Sequence, residues 1–320
     1  VTDASGNTAT CSFTVTVNDN QGPSISCPNN IVVSNDAGVC GATVTYTTPV
    51  GTDNCPGAST VQTSGQASGS IFPIGVTTNT YKVTDANGNT ATCSFTVTVN
   101  DTELPTISCP SSVTVSNDAG VCGATVTYTT PSGSDNCPGA STVQTSGLAS
   151  GSVFPIGVTT NTYKVTDASG NTATCSFTVT VNDTIAPSLV IPSNITQTIV
   201  SGCSKSIAVS NATSGDNCTG AVLSYTMTGA TTQSSTNGQV GTKTFNKGVT
   251  TITYTVTDAS GNTATAVQTV TVNDTELPTI SAASAASASA AAGTCAATVT
   301  IGSATFADNC TGAVLTYSLN

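Results

Sequence analysis

The feature that most constrains this chain is that it repeats itself. Cys27, Cys40, Cys55 and Cys93 recur 82 positions later as Cys109, Cys122, Cys137 and Cys175, and residues 21–100 differ from 103–182 at only 12 of 80 positions. Self-similarity at a fixed period means that one structural unit is built several times. A third, more diverged unit carries extra residues after Cys218, and a partial one follows it. The opening stretch VTDASGNTATCSFTVTVND has close copies starting at Val83, Val165 and Val256, each at the end of a unit. The expected organisation is a closing hairpin over 1–19, complete units over 20–101, 102–183 and 184–274, and the front half of a unit over 275–320. So divided, the chain is expected to be a window on a longer array.

Each unit reads as all-β. Cys40, Ala42, Val44 and Tyr46 share one face of an alternating run while Thr43 and Thr45 take the other. Cys93, Phe95, Val97 and Val99 alternate with Ser94, Thr96 and Thr98 in the same way. A period of two with β-branched enrichment is the strand signal. Such runs come every 8–12 residues between Gly, Pro, Asn and Asp, giving about seven short strands per unit and an immunoglobulin-like two-sheet sandwich. Tandem sandwiches joined by short Pro-containing linkers predict an extended rod. Tyr81, Tyr163 and Tyr254 share the core-facing side of their strands, which predicts a corner role with each hydroxyl bonded to backbone.

The chain carries a net charge of −11 and no His, which argues against nucleic acid and anionic membrane surfaces as partners. No apolar run reaches the roughly 18–20 residues of a membrane span. The 13 cysteines form no C-x-x-C pair and have no His to join them, so disulfides rather than zinc are expected, in an extracellular compartment. In the third unit Ile191 and Ala266 replace the counterparts of Cys27 and Cys93, while Cys203 and Cys218 remain. Cysteines lost as a pair are most simply partners. The predicted bonds are therefore Cys27–Cys93, Cys40–Cys55, Cys109–Cys175, Cys122–Cys137, Cys203–Cys218 and Cys295–Cys310, with the partner of Cys11 outside these residues.

The units carry an ordered set of motifs: I-S-C-P at 25–28, D-N-C at 53–55, G-S-x-F-P-x-G at 69–75, T-Y-K-V-T-D-A-x-G-N at 80–89 and C-S-F-T-V-T-V at 93–99. This set resembles the hyalin repeat (HYR) domain, an immunoglobulin-like module of extracellular proteins. The near-identical, Arg-free tandem form is similar to giant cell-surface adhesins of Bacteroidota, including those of gliding motility. The resemblance implies adhesion and extracellular display and brings no catalytic residues with it. The third unit departs from the pattern in lacking the outer cysteine pair.

Candidate ligand sites lie in loops and linkers. Asp85, Asn87 and Asn89 offer the alternating oxygens that hard cations prefer, and equally form a hairpin turn around Gly88. Asp19, Asp101, Asp183 and Asp274 stand in the linkers, where calcium would stiffen the array. Asp53 and Asn54 read as the turn that presents Cys55 to Cys40. Nothing supports an enzyme, since there is no His, no nucleophile beside a base and no paired carboxylates outside turns. Calcium is the one cofactor the sequence admits. Residues 280–295 align without a gap to 107–122, yet Val113 and Val115 become Ala286 and Ala288, which weakens a strand there.

The role these observations predict is a structural stalk or filament segment of a long cell-surface adhesin, stiffened by disulfides within each unit. Its ligand, an extracellular glycan or protein, would be met by other domains, and filaments could form by self-association. Two other readings remain open. In one the repeats are themselves the glycan- or protein-binding surface; in the other they are an accessory stalk of a secreted enzyme.

Overall fold

The alternation read from the sequence becomes a set of hydrogen-bonded ladders in the computed structural model, which describes residues 1–318. In the first repeat the strands are β1 (Ile31–Ser34), β2 (Gly41–Thr43), β3 (Ser59–Ser64), β4 (Ile71–Pro73), β5 (Gly75–Thr84) and β6 (Thr90–Asn100). One sheet has the order β1-β6-β5-β3 and the other pairs β2 with β4. β5 and β6 form a long antiparallel hairpin, Gly75 opposite Val99 through Thr84 opposite Thr90, turned by Gly88 at φ 91°. β1 lies parallel on the outer side of β6, with Ile31 opposite Val97. The inward positions supply the core: Ala42, Val44, Phe72, Tyr81, Phe95, Val97 and Val99 are all buried together. Cys27 is bonded to Cys93, Cα–Cα 5.6 Å, which ties the opening segment to the closing strand.

The second repeat contributes β7 (Val113–Ser116), β8 (Gly123–Val126), β9 (Ser141–Ser146), β10 (Ser152–Pro155), β11 (Gly157–Thr166) and β12 (Thr172–Asn182). It repeats the parallel β7–β12, antiparallel β8–β10 and antiparallel β9–β11 pairings, and Cys109 is bonded to Cys175. By internal contacts the chain divides within this repeat. One unit comprises Val1–Ser112, Thr127–Ser150 and Thr160–Thr178, the other Val113–Val126, Gly151–Thr159 and Val179–Asn320.

The third repeat has nine strands: β13 (Ser188–Val190), β14 (Ile195–Ile199), β15 (Ser204–Ala208), β16 (Thr213–Gly215), β17 (Val222–Gly229), β18 (Gln233–Asn237), β19 (Thr242–Asn246), β20 (Gly248–Thr257) and β21 (Thr263–Asp274). The residues inserted after Cys218 build β18, which extends the main sheet to the order β14-β21-β20-β17-β18. Its core gathers Ile207, Tyr225, Met227, Phe245, Ile252, Tyr254, Val270 and Val272. The fold is thus an all-β series of immunoglobulin-like sandwiches. Among the described residues every regular element is a strand, and no helix is long and apolar enough to cross a membrane.

One expectation needs correction, that of the corner tyrosine, and the two end segments form little strand. The opening stretch closes a short hairpin, with Thr2 opposite Thr8 and Ala9 N donating to the Val1 carbonyl at 2.8 Å, while Phe13, Val15 and Val17 beyond it are exposed. Its counterpart β6 is held between β1 and β5, and no residues here correspond to those two neighbours for 10–18. After β22 (Thr279–Ser281), no strand forms before β23 (Thr305–Ala307), in keeping with the poor β-propensity of the Ala-Ser run. The tyrosine that bonds to backbone is not Tyr81 but Tyr46, whose hydroxyl donates to the Gln66 carbonyl at 2.6 Å. Tyr81 therefore donates its own proton to the Tyr46 oxygen, 2.9 Å away. Tyr128 and Tyr163 repeat the arrangement with the Leu148 carbonyl.

Candidate functional site at the joints between repeats

The turn after β1 places Cys40 at the end of its repeat nearest the outgoing linker. Asn35 accepts from Thr102 N at 3.0 Å, and Gly38 N donates to the Glu103 carboxylate at 2.7 Å. From Cys40 the chain runs through β2 to Thr52, which bridges to Ser24 beside the incoming linker. Cys55 therefore lies near Asp19, at the opposite end of the same sandwich from Cys40. A disulfide needs Cα atoms within about 7 Å, so the predicted Cys40–Cys55 bond is not formed.

Cys40 is bonded instead to Cys137 of the next repeat, Cα–Cα 4.8 Å. Cys122 is bonded to Cys218 at 4.9 Å, and Cys203 to Cys310 at 5.1 Å. These three bonds replace the expected Cys40–Cys55, Cys122–Cys137, Cys203–Cys218 and Cys295–Cys310. Among the described residues Cys11, Cys55 and Cys295 are unpaired. In a tandem array, pairing within a repeat and pairing with the next repeat leave the same spacing in the sequence. Spacing alone could not separate them.

The D-N-C motif is the piece that reaches across. Its Asp accepts the amide of its own Cys, as Asp135 Oδ2 does from Cys137 N at 2.9 Å and Asp216 Oδ2 from Cys218 N at 3.0 Å. The Asn side chain donates to a carbonyl of the preceding repeat: Asn136 to Val39 at 3.0 Å, Asn217 to Val121 at 3.2 Å, and Asn309 to Gly202 at 3.0 Å. The Cys then makes the covalent bond. The sequence reading took Asp53 and Asn54 as a turn within one repeat and missed Asn136, Asn217 and Asn309 as joint residues. The retention of D-N-C in the third repeat, where the outer pair is lost, was the available signal.

The predicted cation residues fall into two groups. In the D-A-N-G-N loop both oxygens of Asp85 are used locally: Oδ1 accepts from Asn87 N and Asn89 N, and Oδ2 from Asn89 Nδ2. Burial opposes ionisation of Asp85, Asp167 and Asp258, but bonds from Asn89, Asn171 and Asn262 and from loop amides outweigh it and lower each pKa. Asn89, Asn171 and Asn262 also donate to the carbonyls of Asp19, Asp101 and Asp183 in the linkers. This loop fastens the linker and spends its oxygens in doing so. The linker acids differ. Asp19, Asp101 and Asp183 gather with Asp53, Asp135 and Asp216 and with the cysteine of D-N-C, one donor atom from each within 4.8 Å of the others. Asp274 instead meets the Lys247 ammonium at 3.2 Å. Cys55, unpaired, has its thiol pKa raised by hydrogen bonding to the adjoining Asp19, then by burial and by the charges of Asp19, Asp53 and Asp85.

The fold and joints define a class: tandem β-sandwich repeats fastened to their neighbours by disulfides. The chain belongs to the HYR domain family, whose model matches residues 18–99, 100–181 and 182–272. It is 37% identical over 321 residues to hyalin of Strongylocentrotus purpuratus, covering 96% of this chain and 26% of that protein. Hyalin of Lytechinus variegatus is 34% identical over 321 residues, covering 96% and 58%. The serine-rich adhesin for platelets of Staphylococcus aureus strain MSSA476 is 33% identical over 201 residues, covering 59% and 8%. The chain thus spans about a quarter to rather more than half of the two hyalins. A protocadherin GammaB4 extracellular domain aligns with TM-score 0.32 and 16% identity over 83% of this chain and 52% of its own.

Proposed function

We propose that the chain is a segment of an extracellular adhesive stalk whose repeats are fastened in series and which lengthens little when pulled. The observation that carries this is the run of bonds Cys40–Cys137, Cys122–Cys218 and Cys203–Cys310, each linking one repeat to the next. Tension entering the second repeat at Cys137 can leave it at Cys122, only 15 residues away in the chain, and tension entering the third at Cys218 can leave at Cys203. The remaining residues of each repeat lie off that covalent path. Fifteen residues fully stretched span about 50 Å, against about 280 Å for a whole repeat. The long strand β6 alone is about 35 Å. A folded repeat therefore has little slack to release.

An extracellular setting is supported by the five disulfides, which persist in oxidising compartments. The names of the relatives, hyalin and a bacterial adhesin, support an adhesive role. They offer no support for gliding motility in particular, and the proposal leaves it aside. Single-molecule stretching of the oxidised chain should give unfolding increments of only about 15 Å per repeat, rising to about 250 Å after reduction. Full-length increments in the oxidised protein would overturn the proposal.

A further inference from the structure

We infer that the joint between the second and third repeats holds a divalent cation of the hard, oxygen-seeking class of calcium, on the carboxylates of Asp183 and Asp216. Asp183 is 8% exposed, and its Oδ1 accepts from Ile185 N at 3.2 Å while its Oδ2 is buried with no hydrogen-bond partner. Asp216 holds the Cys218 amide with Oδ2, and its buried Oδ1 is likewise unpartnered. Donor atoms of Asp183, Asp216 and Cys218 lie within 4.8 Å of one another. Cys218 is in a disulfide, so its sulfur is no thiolate and the donors left are oxygens. Asn217, which follows Asp216 in the chain, also has a buried Oδ1 without a partner.

Two desolvated carboxylates facing each other without a counter-charge are costly, and a bound cation removes both the repulsion and the unmet acceptors. Oxygen donors from carboxylate and amide groups, completed by water, suit calcium better than a thiolate- or imidazole-seeking metal. The arrangement recurs. Asp101 with Asp135 and Asp19 with Asp53 form the same cluster, and Asp135 Oδ1, Asn136 Oδ1 and Asp19 Oδ2 are also buried without partners. At Asp101 the Oδ2 atom accepts from Ser169 Oγ at 3.3 Å.

The last joint is the built-in contrast. Asp274 Oδ2 is met by Lys247 Nζ at 3.2 Å, and Asn309 Nδ2 donates to Asp274 Oδ1 at 3.2 Å. Lys247 occupies the position held by Ile74 and Ile156 in the two preceding repeats. Where the protein supplies the positive charge, the acid cluster of the other joints is not assembled. The contrast lies in the linker acid: Asp308 Oδ1 and Asn309 Oδ1 of the last joint are buried without partners as in the other joints, but Asp274 Oδ2 meets Lys247 whereas Asp183 Oδ2 and Asp19 Oδ2 meet nothing.

This inference goes beyond the disulfide-linked stalk, since the bridges can be intact whether or not an ion is held. The test is calorimetric titration of the chelator-stripped, oxidised 320-residue chain with calcium chloride, with the Cys122–Cys218 bond mapped in each sample. Saturable uptake is expected. Asp183→Asn and Asp216→Asn should each weaken one site by about tenfold or more, the conservative amide keeping the local hydrogen bonds. Lys247→Ile should add one binding equivalent at the last joint. With the Cys122–Cys218 bond intact, no saturable uptake, or uptake unchanged in both Asn variants, would overturn the inference.

Discussion

In the first repeat Cys27 and Cys93 tie the opening segment to the closing strand covalently, whereas in the third Ile191 and Ala266 stand at those positions and Gln268 does the tying. Gln268 is fully buried; its Nε2 donates to the Ser193 carbonyl at 2.7 Å, and its Oε1 accepts from the Tyr254 hydroxyl at 3.0 Å. The change is concerted. In the first repeat the same core tyrosine, Tyr81, bonds to Tyr46, which packs edge-on against Phe95 at 4.9 Å. In the third repeat Val209 replaces Tyr46 and Gln268 replaces Phe95, so the polar partner moves from one sheet to the other. The clip within a repeat is thus exchangeable for a hydrogen-bonded one, while the cysteines that reach the neighbouring repeat are retained in both.

The comparison can be broken most forcefully by removing the covalent clip. Cys27→Ala with Cys93→Ala opens a loop of 66 residues in sequence separation, and chain-entropy arguments put the loss at about 4 kcal/mol. Hydrogen exchange should show the first repeat opening more readily while the third is unchanged. Equal loss in both repeats would mean that the clips do not act locally. The next largest effect is expected from Gln268→Ala, which leaves the buried Tyr254 hydroxyl without its partner and removes the bond to the Ser193 carbonyl, at about 1–3 kcal/mol. A loss under about 0.5 kcal/mol would show that Gln268 does not replace the disulfide.

The smaller effects are read by pH. Burial, then the bond to its tyrosine neighbour, pushes Tyr81 and Tyr163 up to about 12. Their contribution is complete below the free-tyrosine value of about 10 and is lost as pH rises through about 12. Three of the 7 tyrosines, Tyr81, Tyr163 and the buried Tyr254, whose pKa burial also raises, should therefore ionise later than the rest in an absorbance titration. For Asp85, Asp167 and Asp258 the sign is opposite. Their lowered pKa values add stability that is complete above the ordinary carboxylate range and lost as pH falls through the lower folded values. Asp167→Asn should remove part of that acid dependence, checked by melting curves across the acid range.

Much of the fold was written in the period of two. Val97, Val99, Tyr81 and Val83 are buried where alternation put them, because a strand has only two faces and one must meet the other sheet. The outer bonds were equally readable, since divergence in the third repeat removed both partners together. The joints were not. Cys40 stands at the same distance in sequence from a cysteine of its own repeat whether or not that cysteine is its partner. Only the placement of Cys40 beside Glu103, and of Cys55 beside Asp19, shows that they occupy opposite ends of one sandwich. The role of Lys247 was hidden for a similar reason, as its partner Asp274 lies 27 residues further on and meets it only through the pairing of β20 with β21.

The central claim is that disulfides run from each repeat to the next. Peptide mapping of the unreduced protein under conditions that block exchange tests it directly. Because the first two repeats are nearly identical, peptides from the second and third are the most diagnostic. The account predicts a fragment joining Cys122 to Cys218 and another joining Cys203 to Cys310. Recovery of Cys122 bonded to Cys137, or Cys203 to Cys218, would contradict it.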